Sequence, residues 1–184
     1  MAYIKIDRKE FSGSAVKVTW DNIFSSEYEN YRLDIDEIKM DTTNNLALRL
    51  IDNAGTEITG TEYNGFSWLH RSYSAPSEND SSKDRSHFSL VGYSNVAGTE
   101  TGKPFGVASS NMIFNPYVSD RYTALVGRDF NTGEGYDSGT TQGNGVGRSR
   151  SDFHEVQETI RGLTFTTGSG NITSLKATLY GIKI

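Results

Sequence analysis

The 184-residue chain contains no cysteine and only three histidines. Without cysteine, neither a disulfide nor a thiolate metal site can form. The histidines, His70, His87 and His154, lack the HxH and HExxH spacings that bring two imidazoles to one metal. Stability must therefore come from packing or from oligomerisation.

Long apolar runs and an excess of positive charge are also missing. No window approaches the roughly 18 consecutive apolar residues of a spanning helix, and the N-terminal MAYIKIDRKEF lacks the apolar core of a signal peptide. A net charge of −5 and a pI near 5.2 argue against binding to a phosphate backbone. We therefore expect no membrane insertion and no nucleic-acid partner, and release from a cell only by lysis, by a dedicated machine or as part of a particle.

The chain is rich in residues that favour strands and turns. It holds 10 Tyr, 9 Phe and 19 Gly, and its apolar runs are short and separated by polar turn signals. Strands at roughly ten-residue spacing without a convincing helix predict an antiparallel β-sandwich of jelly-roll type. We expect eight to ten strands, with residues 1–15 as an N-terminal arm or edge strand and residues 16–184 as a single β-sandwich domain.

Two stretches show the strand pattern most clearly. At the C-terminus, apolar runs flank the tract 168–171, which predicts a hairpin, and in the second run Leu175, Ala177 and Leu179 alternate with polar residues. The stretches 30–40 and 46–51 predict a second hairpin. A slip in the alternation after Glu37 indicates a β-bulge. On the same parity argument, Trp20 and Phe66 are expected in the core.

Two long stretches, 74–86 and 129–152, show no periodicity and predict exposed loops, where binding residues are often found. Tyr73 and Tyr136 lie in or beside these loops and are expected to be exposed. Arg148 and Arg150 follow a glycine-rich run and could contact acidic sugars or a neighbouring subunit. These four residues are the candidate glycan or partner contacts.

No motif indicates an enzyme. The GxSxG nucleophile elbow and the GxxxxGK[ST] phosphate loop are absent. Asp34 and Asp36 share a strand face, which indicates a solvated acidic face rather than the acid and base of a glycosidase, which face each other across a cleft. We expect no catalytic residue and no cofactor. Calcium is the alternative, because the turns at 41–45 and 78–84 offer oxygen ligands, although neither matches an EF-hand.

Three pieces of the chain carry a resemblance. They are WDNIFSSEYENYRL at 20–33, LALRLI at 46–51, and the closing stretch 160–182, which ends in LYGI. Together they resemble the small β-sandwich modules in virion proteins of tailed phages, notably cyanophages and other marine phages. The resemblance covers the two ends of the chain. Physically, Gly181 would let a neighbouring ring or backbone approach closely.

The resemblance implies a non-enzymatic structural protein of the virion, made in the host cytoplasm and mounted on capsid or tail as a fibre, knob or decoration module. It implies other virion proteins as partners, a homo-oligomer with a trimer favoured, and loops that attach to a host surface glycan. The alternative is a soluble carbohydrate-binding module or lectin. A third reading, a polysaccharide depolymerase, has less support because no facing carboxylates are evident.

Overall fold

The computed structural model describes residues 2–41, 46–71, 78–91, 107–131 and 146–183. These residues form twelve β-strands: β1 (Ala2–Ala15), β2 (Lys17–Trp20), β3 (Asn30–Met40), β4 (Leu46–Asp52), β5 (Tyr63–Arg71), β6 (Glu78–Arg85), β7 (Phe88–Val91), β8 (Val107–Phe114), β9 (Tyr122–Asn131), β10 (Val146–Gln157), β11 (Ile160–Thr167) and β12 (Ile172–Lys183). Among these residues, no helix is long and apolar enough to cross a bilayer.

The strands form two antiparallel sheets. The larger sheet has the order β1-β12-β3-β8-β9-β10-β5-β6, and the smaller one has the order β2-β11-β4-β7. The chain repeatedly changes sheets, with β2, β4, β7 and β11 in the small sheet and their sequence neighbours in the large one. This wrapped connectivity is typical of a jelly roll. The predicted antiparallel β-sandwich is confirmed, with twelve strands instead of eight to ten.

The core lies between the two sheets and is built from alternate residues of their central strands. Leu33 and Ile35 from β3 meet Leu48 and Leu50 from β4, and Phe165 from β11 completes this layer; each is 2% exposed or less. Burying each such side chain contributes about 1.5–3 kcal/mol of transfer free energy. This layer is therefore the main apolar support of the sandwich.

The C-terminal strand β12 follows its predicted alternation. Leu175, Ala177 and Leu179 are fully buried, and β12 lies between β1 and β3 in the large sheet. The close approach expected at Gly181 is confirmed, because a Cβ added there would lie 2.5 Å from ring atoms of Tyr28. The ring therefore occupies the space that any larger residue would need.

Both predicted hairpins are wrong. β3 pairs with β12 and β8 while β4 pairs with β11 and β7, and β11 and β12 likewise lie in different sheets. Each connection is an arch across the sandwich, because both of its strands have an apolar face that is buried between the sheets. The two arches are tied together where Asn171 donates its N–H and Nδ2–H to the carboxylate of Asp41, at 2.7 and 2.9 Å.

The predicted bulge in β3 is present, one residue before the expected place. Ile35 pairs with Ala177 and Glu37 pairs with Lys176, which leaves Asp36 as the extra residue. Asp36 is exposed on the solvent side of the sheet. The bulge thus adds a carboxylate to the outer face, and this carboxylate lines the pocket described below.

The two predicted loops are largely strands where the structure describes them. Residues 78–85 form β6, and the segment 129–152 contains the end of β9 and the first half of β10. The sequence hides the strand β10 because its inward side chains, those of Arg148, Arg150 and Asp152, are charged. Residues 72–77 and 132–145 lie outside the described residues, and Tyr73 and Tyr136 fall there.

Candidate functional site

Where β5 and β10 run side by side at 66–68 and 149–151, their polar side chains alternate with outward aromatic side chains of β5. Three charged side chains of β10 face the interior, those of Arg148, Arg150 and Asp152. On β5, Phe66 is 48% exposed, so its predicted place in the core is wrong, whereas Trp20 is 3% exposed as predicted. The reason is that the inward side chain of β5 at this level, Ser67, accepts a hydrogen bond from Arg148 of the neighbouring β10, which leaves Phe66 on the outer face.

The buried Arg/Asp cluster consists of Arg148, Arg150, Asp129 and Asp152 with their hydrogen-bond partners. Arg150 Nη2 donates to Asp129 Oδ1 at 2.8 Å and to Asn111 Oδ1 at 2.6 Å. Arg148 donates to hydroxyls on both sheets, those of Ser67 at 2.7 Å and Ser89 at 3.1 Å.

Arg148 and Arg150 are therefore not the surface contacts that we expected. They are 8% and 4% exposed, and their guanidinium groups bind within the sandwich. Because Ser89 lies on β7 and the arginines lie on β10, their hydrogen bonds join the small sheet to the large one. The two residues belong to the scaffold beneath the outer face.

Burial controls the ionisation of the carboxyl groups in the Arg/Asp cluster. Desolvation raises the pKa of Asp152 to about 6, despite Arg150 Nε at 4.0 Å from Asp152 Oδ2. Desolvation also raises the pKa of Asp129 above its ordinary value, against the opposing effect of Arg150. The cluster thus contains carboxyl groups that are costly to ionise. Gly65 leaves room for it, since a Cβ there would lie 1.7 Å from Asp152 Oδ1.

A pocket of about 780 Å³ lies over the large sheet where β3, β8, β9 and β10 adjoin. Its floor follows strands whose alternate side chains, such as those of Ile35 and Asp129, are buried in the sandwich. The outward polar residues that line this outer-face pocket are Arg32, Asp34, Asp36, Ser110, Arg128 and Ser149.

The outer-face pocket combines satisfied and unsatisfied polar groups. Asp34 Oδ1 accepts hydrogen bonds from Arg32 Nε at 2.9 Å and from Ser110 Oγ at 2.7 Å. Within the described residues, neither Arg128 nor Asp36 has a hydrogen-bond or ion-pair partner, and both are exposed. The pocket therefore offers an arginine donor and a carboxylate acceptor to a ligand, while its formal charges balance.

An aromatic cluster adjoins this pocket on the same face of the sheet. It consists of four rings and one aliphatic side chain, each 40–50% exposed: Phe66, Trp68, Tyr122, Phe153 and Val126. The rings of Tyr122 and Phe153 contact each other with centroids 6.5 Å apart. Aromatic faces beside hydrogen-bonding groups suit a ligand that has an apolar ring face and polar edges, as a sugar does.

The described residues offer no group of three His, Asp or Glu side chains that could hold a metal ion. In the first calcium candidate, Asp41 uses both carboxylate oxygens on Asn171, and residues 42–45 lie outside the described part. In the second, the side chains of residues 78–82 are likewise not described. His154 is fully buried against the ring of Tyr63, where desolvation lowers its pKa.

Sequence reasoning missed Trp68 and Arg128 as site residues. Parity placed Phe66 in the core, because the sequence of this strand does not show which of its two faces is outside. The inward arginines of β10, which determine that choice, were assigned to a loop.

The chain matches no known family model, no curated protein and no solved structure.

Proposed function

We propose that this chain is a non-enzymatic attachment module of a phage particle that binds a host-surface glycan in the outer-face pocket. The assignment to a virion, on capsid or tail, is supported by the resemblance of the two ends of the chain to phage β-sandwich modules. The glycan-binding part is supported by one observation above all: among the described residues, Arg128 is a donor and Asp36 an acceptor without a partner, and both line the same pocket.

Sugar hydroxyl groups match this pair of groups. A hydroxyl can accept from the Arg128 guanidinium and donate to the Asp36 carboxylate, and the Ser110 and Ser149 hydroxyls can do either. Hydrogen bonds to charged groups contribute about 1.5–3 kcal/mol each, less the cost of displacing water. Affinity at one site is therefore expected to be modest, and several copies in a homo-oligomer, of which a trimer is favoured, would make attachment effective.

The carboxylates of the pocket favour binding over hydrolysis. Asp34 and Asp36 belong to one strand, and Asp34 is already paired with Arg32. A glycosidase needs two carboxyl groups on opposite sides of the scissile bond. A depolymerase is therefore the weaker proposal. A free lectin would use the same pocket, so it differs from the virion proposal only in its location.

The test is binding of the purified protein to an array of neutral and acidic glycans, followed by calorimetry with the best ligand. Arg128→Ala is expected to weaken that ligand about tenfold or more, because a charged hydrogen bond is lost. Arg8→Ala is the matched control, since Arg8 is an exposed arginine at the far edge of the same sheet.

Equal loss in both arginine variants, or no binding to any glycan, would contradict the pocket as the site. Immunoblots of purified phage particles distinguish a virion module from a soluble lectin. Presence of the chain in the particle supports the virion module, whereas binding without such presence supports the soluble lectin.

A further inference from the structure

We infer that the glycan is a linear chain of neutral sugars that lies along β10, in a trough that runs from the outer-face pocket to Phe153. This inference rests on the proposed function and names its ligand class. The β10 trough has a floor of Ser149 and Ser151, one wall of Trp68 and Phe66 on β5, and an opposite wall of Arg128 and Val126 on β9.

Strand register places these residues side by side. Ser149 pairs with Trp68 on one side and with Arg128 on the other. Two residues further along, Ser151 pairs in the same way with Phe66 and Val126. Directly paired residues point to the same face of a sheet. Each serine therefore lies between two much larger side chains, which makes β10 the floor of a groove.

The dimensions of the β10 trough suit a single extended chain. Neighbouring strands are about 4.8 Å apart, so the two walls stand about 9.6 Å apart at their backbones. Phe153 follows Ser151 on the same face and contacts Tyr122, which closes one end. The other end opens into the outer-face pocket, because Ser149 and Arg128 line both.

The chemistry of the β10 trough favours a glycan over other polymers. β10 is hydrogen-bonded to β5 and β9 on its two sides, so it has no free edge to which a peptide strand could add. A nucleic acid would need a row of cations, and Arg128 is the only cationic side chain among the residues of the trough. Aromatic rings on one wall and hydroxyls on the floor match the faces and edges of successive sugar rings.

A neutral ligand follows from the charges at the open end. Arg128 and Asp36 are both unpaired within the described residues, so their formal charges cancel. The carboxylates of a uronic acid chain would be attracted by Arg128 but repelled by Asp36. Neutral hydroxyl groups can use both.

The experiment measures affinity against chain length by calorimetry and tryptophan fluorescence. The probes are one- to six-unit oligomers of β-linked glucan, xylan and mannan, with galacturonan as the acidic series. We expect affinity for a neutral series to rise about tenfold or more from one unit to four. The emission should also change, because Trp68 lies in the trough and the only other tryptophan, Trp20, is buried.

Two variants separate the β10 trough from the pocket. Trp68→Ala should abolish the dependence of affinity on chain length and leave the affinity for a single sugar unchanged. Ser151→Tyr should have the same effect, because its ring fills the floor of the trough while both walls remain. Val156→Ala is the control, since Val156 is an exposed apolar residue on β10 outside the trough. Far-UV circular dichroism verifies that each variant is folded.

Three results would overturn the inference. Affinity that does not depend on length and persists in both variants would leave the pocket as a glycan site without a trough. Preference for galacturonan would contradict the neutral ligand. Failure of every oligomer to bind would reject the proposed function together with the trough.

Discussion

Arg150 donates hydrogen bonds to Asp129 and Asn111 in the interior of the sandwich, where charged side chains are seldom found. Removing one partner from such a buried pair usually costs about 3–5 kcal/mol, because the other charge is left without compensation. Loss of either Arg150 or Asp129 is therefore expected to be strongly destabilising. Arg148 and Arg150 accordingly have a structural role beneath the aromatic face.

Asp152 makes the stability of this cluster depend on pH. Desolvation raises its pKa from 3.8 in the unfolded chain to about 6 in the folded one, so the folded state holds the proton more tightly. The stability that this tighter proton binding contributes is fully present below pH 4 and is lost as the pH rises through 6. We predict that Asp152→Asn, which cannot ionise, gains stability relative to the wild type by up to about 3 kcal/mol between pH 4 and pH 7.

The measurement is the free energy of unfolding in urea at several pH values for both proteins. Asp120→Asn, at an exposed turn position, is the control for a general loss of one negative charge. A relative stability of Asp152→Asn that falls with rising pH would mean that attraction to Arg150 outweighs desolvation.

At the level of strands, alternation predicted the inward face correctly wherever that face is apolar. β12 and the first half of β3 follow this rule, since Leu33, Ile35 and Leu175 are all buried. It gave the wrong face for Phe66 because β5 covers a polar interior. Which face of an amphipathic strand is buried depends on the neighbouring strand, and that information is not local in the sequence.

Pairing of strands could be predicted less well than their existence. The turn tracts between β3 and β4 and between β11 and β12 have the composition of hairpin loops, yet both form arches between sheets. A hairpin and an arch have similar local sequences when both strands carry an apolar face. The trough was out of reach for the same reason, because its walls come from β5 and β9, which are distant in sequence.

Gly181 on β12 gives a prediction at this scale. The Tyr28 ring packs over it, and a Cβ would lie 2.5 Å from the ring. We expect Gly181→Ala to lower the free energy of unfolding by about 1–3 kcal/mol through overpacking. Chemical denaturation of Gly181→Ala, Tyr28→Ala and the double variant tests this, because the methyl group costs little once the ring is gone. Additive losses in the double variant would contradict the steric explanation.

At the scale of the whole molecule, the interior of the sandwich has an apolar part and a polar part. Around β3, β4 and β11 the interior is apolar and gives the sandwich its stability, while beside Ser67, Asp129 and Arg150 it is polar, and the neighbouring Phe66 and Trp68 face solvent. The β10 trough lies over this second region, and the outer-face pocket extends from it onto β3. A central part of a sheet is a rigid place for a binding site, because its strands are paired on both sides.

Assembly provides the last prediction, since attachment through modest sites requires several of them. We expect static light scattering of the purified protein to give three times the 20.3 kDa of one chain, as the resemblance to phage modules implies. Retention on a glycan-coated surface should then exceed the single-site affinity by about 10²–10⁴-fold, because further sites bind at high effective concentration. A mass of one chain at every concentration, together with absence from purified particles, would contradict the virion module and leave a monomeric glycan binder.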